Sequence, residues 1–316
     1  MDDVTPTSVD VFDALKRISS YVVETPCVRN RVLDQAAGCE LYFKCENLQT
    51  VGAFKFRGAC NAVLKLTPEQ RARGVFTVSS GNHGAALAEV GRQLGIPVTV
   101  GVPRNAPSIK QDNIRRGGAT IEWLEPGMAA REAFTQRFQQ QTGQTFIPPY
   151  DHPDIIAGQG TAMLEFGRQI EGLDTIVAPL GGGGLLSGTC LAAQALNGQT
   201  VFGAEPELAR DAYDSLRLGE RQPALPPASV CDGLLTQLGK HPFAILQNNV
   251  AGVLLVSDDE VLAAMQSLVA ALKLVIEPSA AITYAAVLKY PEHFRGKRVG
   301  IILSGGNTDR VQVAKM

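Results

Sequence analysis

The sequence predicts an α/β protein built on mostly parallel sheets, and three observations carry that prediction. Short, almost wholly apolar runs recur along the chain, helix-patterned stretches separate them, and the residues with unusual chemistry directly follow the runs. Apolar runs of strand length suit strands covered on both faces. Alternating strands and helices imply right-handed crossovers, and ligands in such sheets bind beyond the carboxyl ends of the strands.

In chain order, strands are expected at residues 41–44, 75–78, 98–102, 175–179, 201–204 and 299–303. Helices are expected at 84–94, 108–116, 129–141, 160–170 and 258–274, with another starting near Leu185. Asp258 is the expected N-cap of the 258–274 helix, with Asp259 and Glu260 favourable in its first turn. Four strand ends carry candidate chemistry: Ser79-Ser80-Gly81-Asn82-His83, Gly181-Gly182-Gly183-Gly184, Glu205-Pro206-Glu207 and Ser304-Gly305-Gly306-Asn307.

Composition narrows the function classes. A chain of 316 residues, 45% hydrophobic, supports a large core and two domains. A net charge of −2 gives no general attraction to nucleic acid or an anionic membrane. The start Met1-Asp2-Asp3 lacks the basic-then-apolar pattern of a signal peptide. The apolar stretch 261–276 is interrupted by Gln266 and Lys273 and is too short to span a bilayer. Cysteines 27, 39, 45, 60, 190 and 231 form no CxxC pair, which disfavours zinc and disulfide frameworks and suits reduced thiols in the cytoplasm.

The tetraglycine Gly181, Gly182, Gly183 and Gly184 sits between an expected strand and an expected helix. Glycines there let several backbone N–H groups converge on one anion, and the helix N-terminus adds its positive end. That combination predicts a phosphate site. A dinucleotide fingerprint fails, although Glu205 ends the next strand: Leu186 or Ser187 stands where each GxGxxG frame needs its third glycine.

Lys55 stands between Phe54 and Phe56 in Gly52-Ala53-Phe54-Lys55-Phe56-Arg57-Gly58. An apolar setting of that kind lowers an amine toward nucleophilic reactivity. A snorkelling surface lysine is the commoner role for such a residue. The segment resembles the lysine motif of the fold-type II pyridoxal-phosphate (PLP) enzymes, the family of serine racemases and serine/threonine dehydratases. Ser79-Ser80-Gly81-Asn82-His83-Gly84, Pro148-Pro149-Tyr150-Asp151-His152-Pro153, Ala157-Gly158-Gln159-Gly160-Thr161, the tetraglycine, Asp232-Gly233, Ile276-Glu277-Pro278 and Ser304-Gly305-Gly306-Asn307 extend the resemblance in the same order. Together they span nearly the whole chain.

The resemblance implies a tryptophan synthase β-like fold, with two open twisted, mostly parallel sheets flanked by helices. It implies a large PLP-binding domain of residues 1–66 and 150–316 and a small domain of 67–149 that closes over substrate. Lys55 would carry the cofactor and take the α-proton. Phe54 would lie against the ring, Asn82 would bond its phenolic oxygen, and the four glycines would hold its phosphate. Ser304 would face the pyridine nitrogen, where a neutral hydroxyl favours elimination over full carbanion delocalisation. Ser79, Ser80, Gly81, Asn82 and His83 would bind the substrate carboxylate, and Arg131 a second one. Position 53 is alanine where many members have serine. Ser80 matches the racemases, in which this hydroxyl works on Cα from the face opposite the lysine. Glu205, Ala209 and Asp211 match a divalent-cation site whose oxygen ligands suit Mg²⁺, Ca²⁺ or Mn²⁺. The implied activity is an ammonia-lyase acting on L-serine, L-threonine or 3-hydroxyaspartate, with a racemase as the alternative and a silent ligand sensor as a third reading. A homodimer is implied.

Overall fold

The computed structural model describes residues 4–104, 108–196 and 198–308. Its strands are β1 (Cys27–Val28), β2 (Glu40–Cys45), β3 (Val75–Val78), β4 (Val98–Pro103), β5 (Thr120–Leu124), β6 (Thr145–Phe146), β7 (Thr175–Pro179), β8 (Thr200–Pro206), β9 (Gly252–Val256) and β10 (Arg298–Leu303). They form a six-stranded sheet, β1-β2-β10-β7-β8-β9, and a four-stranded sheet, β5-β4-β3-β6. Every pairing is parallel except that of β1 with β2.

The runs expected as strands became β2, β3, β4, β7, β8 and β10, and their burial explains why they were legible. Every residue of β3, β4 and β7 is buried. One face of the larger sheet packs its core against the helices Asp258–Leu272 and Pro278–Lys289. The other packs against Pro153–Gln169 and Gly184–Ala195. Sandwiched strands of this kind have no polar alternation to show.

The remaining strands lie at the edges or are very short. β5 ends its sheet with most of its residues outside the core, and β1 and β6 have two residues each. β9 is an edge strand whose glycine start weakens the signal of Val253-Leu254-Leu255-Val256.

Two helix starts correct the expectations. Ser257, not Asp258, caps Asp258–Leu272: its hydroxyl accepts the Glu260 N–H while the Glu260 carboxylate accepts the Ser257 N–H, a reciprocal capping box. Asp258 is instead the first helical residue, and its carboxylate binds Ser229 Oγ and Val230 N. The helix expected from residue 160 starts at Pro153, where the ring of His152 accepts the Asp154 N–H at 3.2 Å. The glycines at 158 and 160 hide this first half from a propensity count. They are there because another helix passes close by: a Cβ on Gly158 would lie 2.7 Å from Gly58 Cα.

Both sheets deliver their parallel strand ends to one region. β10 lies between β2 and β7, and β3 between β4 and β6, which are the points where strand order reverses. No helix among the described residues is long and apolar enough to cross a membrane.

Candidate active site

Lys55 is presented by a turn that returns onto the end of β10. Phe54 N–H donates to Ser304 O at 3.0 Å, Ala53 bridges Gly305, and Gly306 N–H donates to Gly52 O. The helix Lys55–Leu64 therefore begins at the lysine itself. Its Nζ donates to Pro149 O at 2.6 Å and lies 5.2 Å from the centroid of the Phe54 ring. Burial lowers this amine to about 8, only partly opposed by the Glu277 carboxylate. The neutral amine is the nucleophile, so its population rises as pH rises through about 8 rather than near 10.5. Labelling of Lys55 by a small amine-directed reagent, followed by peptide mass spectrometry, is expected to show that midpoint. A midpoint above 10 would remove the argument for an activated amine.

The glycine turn is tied to the same lysine through residues 149–151. A Cβ on Gly182 would lie 2.5 Å from the Tyr150 ring, and Gly183 has φ +90°, so neither position accepts a side chain without strain. The Asp151 carboxylate accepts Lys240 N–H and His241 N–H, capping the helix Lys240–Asn249. Gly239, just before that helix, donates its N–H to Gly182 O. Thus Pro149 holds the lysine, Tyr150 covers the turn, and Asp151 anchors the loop beside it. Gly184 opens the helix Gly184–Ala195, so the turn meets a helix N-terminus.

The loop after β3 brings Ser79, Ser80, Gly81 and Asn82 to the site, all half-buried. Ser79 Oγ accepts Gly81 N–H, and Asn82 begins the helix Asn82–Leu94. His83 is buried, and its Nε2 lies 3.0 Å from Ile147 O. A carbonyl only accepts, so Nε2 carries a proton. Burial first, then the charge of Lys55, push the ring down to about 3. His83 therefore has no imidazolium to offer a carboxylate, and its Nδ1 has no partner among the described residues.

Asn82 donates Nδ2 to both Glu277 oxygens, at 3.1 and 3.3 Å, and accepts from Asn307 at 2.9 Å. Glu277 and Asn307 lie in motifs quoted above, yet no role came with them. A sequence separation of 195 or 225 residues leaves no local signal of these contacts. Ser304 is buried at the end of β10.

Two candidate groups make no hydrogen bond to Lys55, the glycine turn or the loop after β3 among the described residues. Arg131 lies in the first turn of the helix Met128–Thr142, half-buried, and makes no ion pair among the described residues. Glu205, next to last in β8, is fully buried, with Ala212 N–H and Tyr213 N–H donating to its two oxygens. Asp211 accepts Leu238 N–H, and Ala209 is buried in the turn between them. Burial raises both carboxyls, and the neighbouring charges of Asp211 and Asp214 raise Glu205 further. No group of three or more His, Cys, Asp or Glu residues arranged to hold a metal occurs among the described residues.

A lowered lysine amine beside an anion cradle, at the switch points of two α/β sheets, defines an enzyme that holds a phosphate-bearing carbonyl cofactor. The chain belongs to the pyridoxal-phosphate dependent enzyme family, whose model matches residues 18–305. It is 46% identical to serine racemase of Dictyostelium discoideum over 319 residues, covering 99% of this chain and 98% of that protein. It is 44% identical to L-threo-3-hydroxyaspartate ammonia-lyase of Saccharomyces cerevisiae over 315 residues, covering 99% of this chain and 97% of that one. The crystal structure of the Dictyostelium serine racemase superposes with a TM-score of 0.92, covering 97% of this chain and all (100%) of that one. PLP fits the residues present: an amine for its aldehyde, a turn with no room for side chains beside Gly182 for its phosphate, and amide and hydroxyl groups at Asn82 and Ser304.

Proposed function

We propose that this chain is an ammonia-lyase that converts a small β-hydroxy amino acid to a 2-oxo acid and ammonia. The observation that carries this reading is the Lys55 amine, lowered to about 8 and held on Pro149 O beside the glycine turn. Bound PLP supplies an electron sink that acidifies the substrate α-hydrogen. Lys55 would hold the cofactor through its amine in the resting enzyme and, once the substrate amine has displaced it, would be the free base that accepts that proton. Backbone N–H groups of Gly181, Gly182, Gly183 and Gly184 would hold the phosphate, Phe54 would lie against the ring, and Asn82 and Ser304 would meet the ring oxygen and nitrogen. Ser79, Ser80, Gly81, Asn82 and His83 take the substrate carboxylate. For His83 the neutral ring supports a backbone contribution rather than a charged one. Loss of the β-hydroxyl as water gives an aminoacrylate, which takes up water and releases ammonia. Serine would yield pyruvate, threonine 2-oxobutyrate, and 3-hydroxyaspartate oxaloacetate, with Arg131 available for the extra carboxylate.

Residues 67–149 act as a small domain closing on a large one of 1–66 and 150–316, which would exclude water during the reaction. Mg²⁺ or a similar cation at Glu205, Ala209 O and Asp211 would offset two raised, like-charged carboxyls. Six free cysteines favour a cytoplasmic setting, and a homodimer is the assembly proposed.

Racemisation is the second reading, favoured by Ser80 on the carboxylate loop and by the names of the relatives. The test is to supply both enantiomers of serine, threonine and 3-hydroxyaspartate with PLP and Mg²⁺. Keto acid is measured and the remaining substrate is analysed chirally. Keto acid outpacing inversion supports the lyase; inversion outpacing keto acid makes the protein a racemase. In either case Ser80→Ala is expected to reduce inversion about 100-fold or more, while keto-acid release falls less than about tenfold. Equal losses would deny Ser80 a separate acid–base role.

A further inference from the structure

We propose that Asn307 is a positioning residue that fixes the orientation of the Asn82 amide, and with it the donor offered to the cofactor. The proposal rests on the PLP function above and adds to it a group with no assigned role.

The geometry is a directed chain of hydrogen bonds. Asn307 Nδ2 donates to Val51 O at 2.8 Å and to Asn82 Oδ1 at 2.9 Å, and Asn82 Nδ2 donates to the Glu277 carboxylate. A backbone carbonyl only accepts, so the Asn307 amide must turn its NH2 toward Val51. The second hydrogen of that NH2 then needs an acceptor, which selects Oδ1 of Asn82. Asn82 Nδ2 is left facing Glu277, which also accepts Asn307 N–H at 3.1 Å. Acceptors at both ends set one direction along the whole chain.

Asn82 does not hold this orientation by itself. The last torsion of an asparagine is broad, so an amide bonded only at the Glu277 end still swings about that bond, although a flip would set Oδ1 against the carboxylate. With Oδ1 on Asn307, Nδ2 keeps a fixed place, and a hydrogen not spent on the Glu277 carboxylate keeps a fixed direction.

The chain also crosses the molecule. Asn82 starts the helix after β3 of the four-stranded sheet, whereas Asn307 follows β10 of the six-stranded one. Its third contact, Val51, is a β-branched residue at φ 61°, a conformation such residues seldom adopt. Val51 stands in the turn that presents Lys55. Packing around the Asn307 side chain is close, since a Cβ on Gly52 would lie 2.8 Å from its Oδ1. One amide thus joins the lysine turn, the cofactor-facing asparagine and both sheets.

The test is a double-mutant cycle read by PLP titration of the apoproteins, with visible absorbance of the bound cofactor as second readout. Asn307→Ala is expected to weaken PLP binding about tenfold, and to shift the absorbance, when Asn82 is present. In the Asn82→Ala background the same change should alter binding less than about twofold. Asn307→Asp keeps the shape but offers acceptors to Val51 O and Asn82 Oδ1, so it should be at least as harmful as alanine. Apoprotein melting curves identify any variant that fails to fold, and Asn307→Asp then carries the test. Equal losses in both backgrounds, or a normal spectrum and affinity for Asn307→Asp, would overturn the proposal while leaving the PLP reading intact. Wild-type protein that takes up no PLP would overturn both.

Discussion

Replacing Lys55 by alanine is expected to lower keto-acid release by about 10⁴-fold or more and to abolish covalent retention of PLP after borohydride reduction. Lys44, Lys65 and Lys289 are already engaged elsewhere. Lys44 is fully buried, and its three N–H donors are already spent on Thr25 O, Glu165 and Gln169. Lys65 and Lys289 lie near the surface, in ion pairs with Asp154 and with Glu207 and Glu260. Lys55→Arg makes the sharper control, because it keeps a cation near Pro149 O yet cannot be deprotonated in a protein. It should be as inactive as alanine if the neutral amine is what matters. Activity within about tenfold of wild type in either variant would sink the assignment of Lys55.

The contrast between Lys55 and Lys44 also shows where sequence stops being informative. Both lysines stand beside aromatic residues, and nothing local separates them. What separates them is the glutamate at 165, which pairs with Lys44 at 2.9 Å across 121 residues, while Lys55 receives a lone backbone carbonyl. The sheets were legible because strands buried on both faces must be apolar throughout, as in β7 and β10. The turns after them were legible because only glycine tolerates the approach of Tyr150 to Gly182. The directions of side chains were not. His83 belongs to the quoted loop, yet it turns inward to Ile147 O and stays neutral, since the imidazolium would lose its hydration there. Asp258 looked like a cap because Ser257 and Asp258 are both good caps, and only the Glu260 partner three residues after Ser257 decides between them.

The second large effect expected is on stability, from Arg57→Met. Arg57 is fully buried two residues after Lys55, with 0% of its surface exposed. Its Nε and Nη2 donate to the two Glu46 oxygens at 2.7 and 2.9 Å, and Nη1 and Nη2 to those of Glu165, both at 2.7 Å. Lys44 also pairs with Glu165, so two cations balance two carboxylates in a dry space between the helices Lys55–Leu64 and Pro153–Gln169. Removing one member of such a set leaves an uncompensated buried charge, which costs about 3–5 kcal/mol. An exposed pair such as Lys16 with Asp13, 79% and 54% exposed, should cost less than about 0.5 kcal/mol when Lys16 is replaced by methionine.

The pH dependence gives the sign a second check. Burial pushes the Glu46 carboxyl up, but Arg57 outweighs it and holds the group below the usual 4.5. In the native protein this contribution is therefore present above 4.5 and lost as pH falls through the lower folded value. In Arg57→Met the same carboxyl has burial without the guanidinium, so its folded value rises above the unfolded one. Its penalty is then largest at neutral pH and shrinks as acid protonates it. Urea melts at pH 7 and near pH 5 should show the gap between Arg57→Met and wild type narrowing at the lower pH, and Arg57→Met/Glu46→Gln recovering part of the loss at pH 7. A pH-independent gap would mean that the methionine variant fails through packing. A gap below about 1 kcal/mol would mean that water reaches the cluster, contrary to its burial.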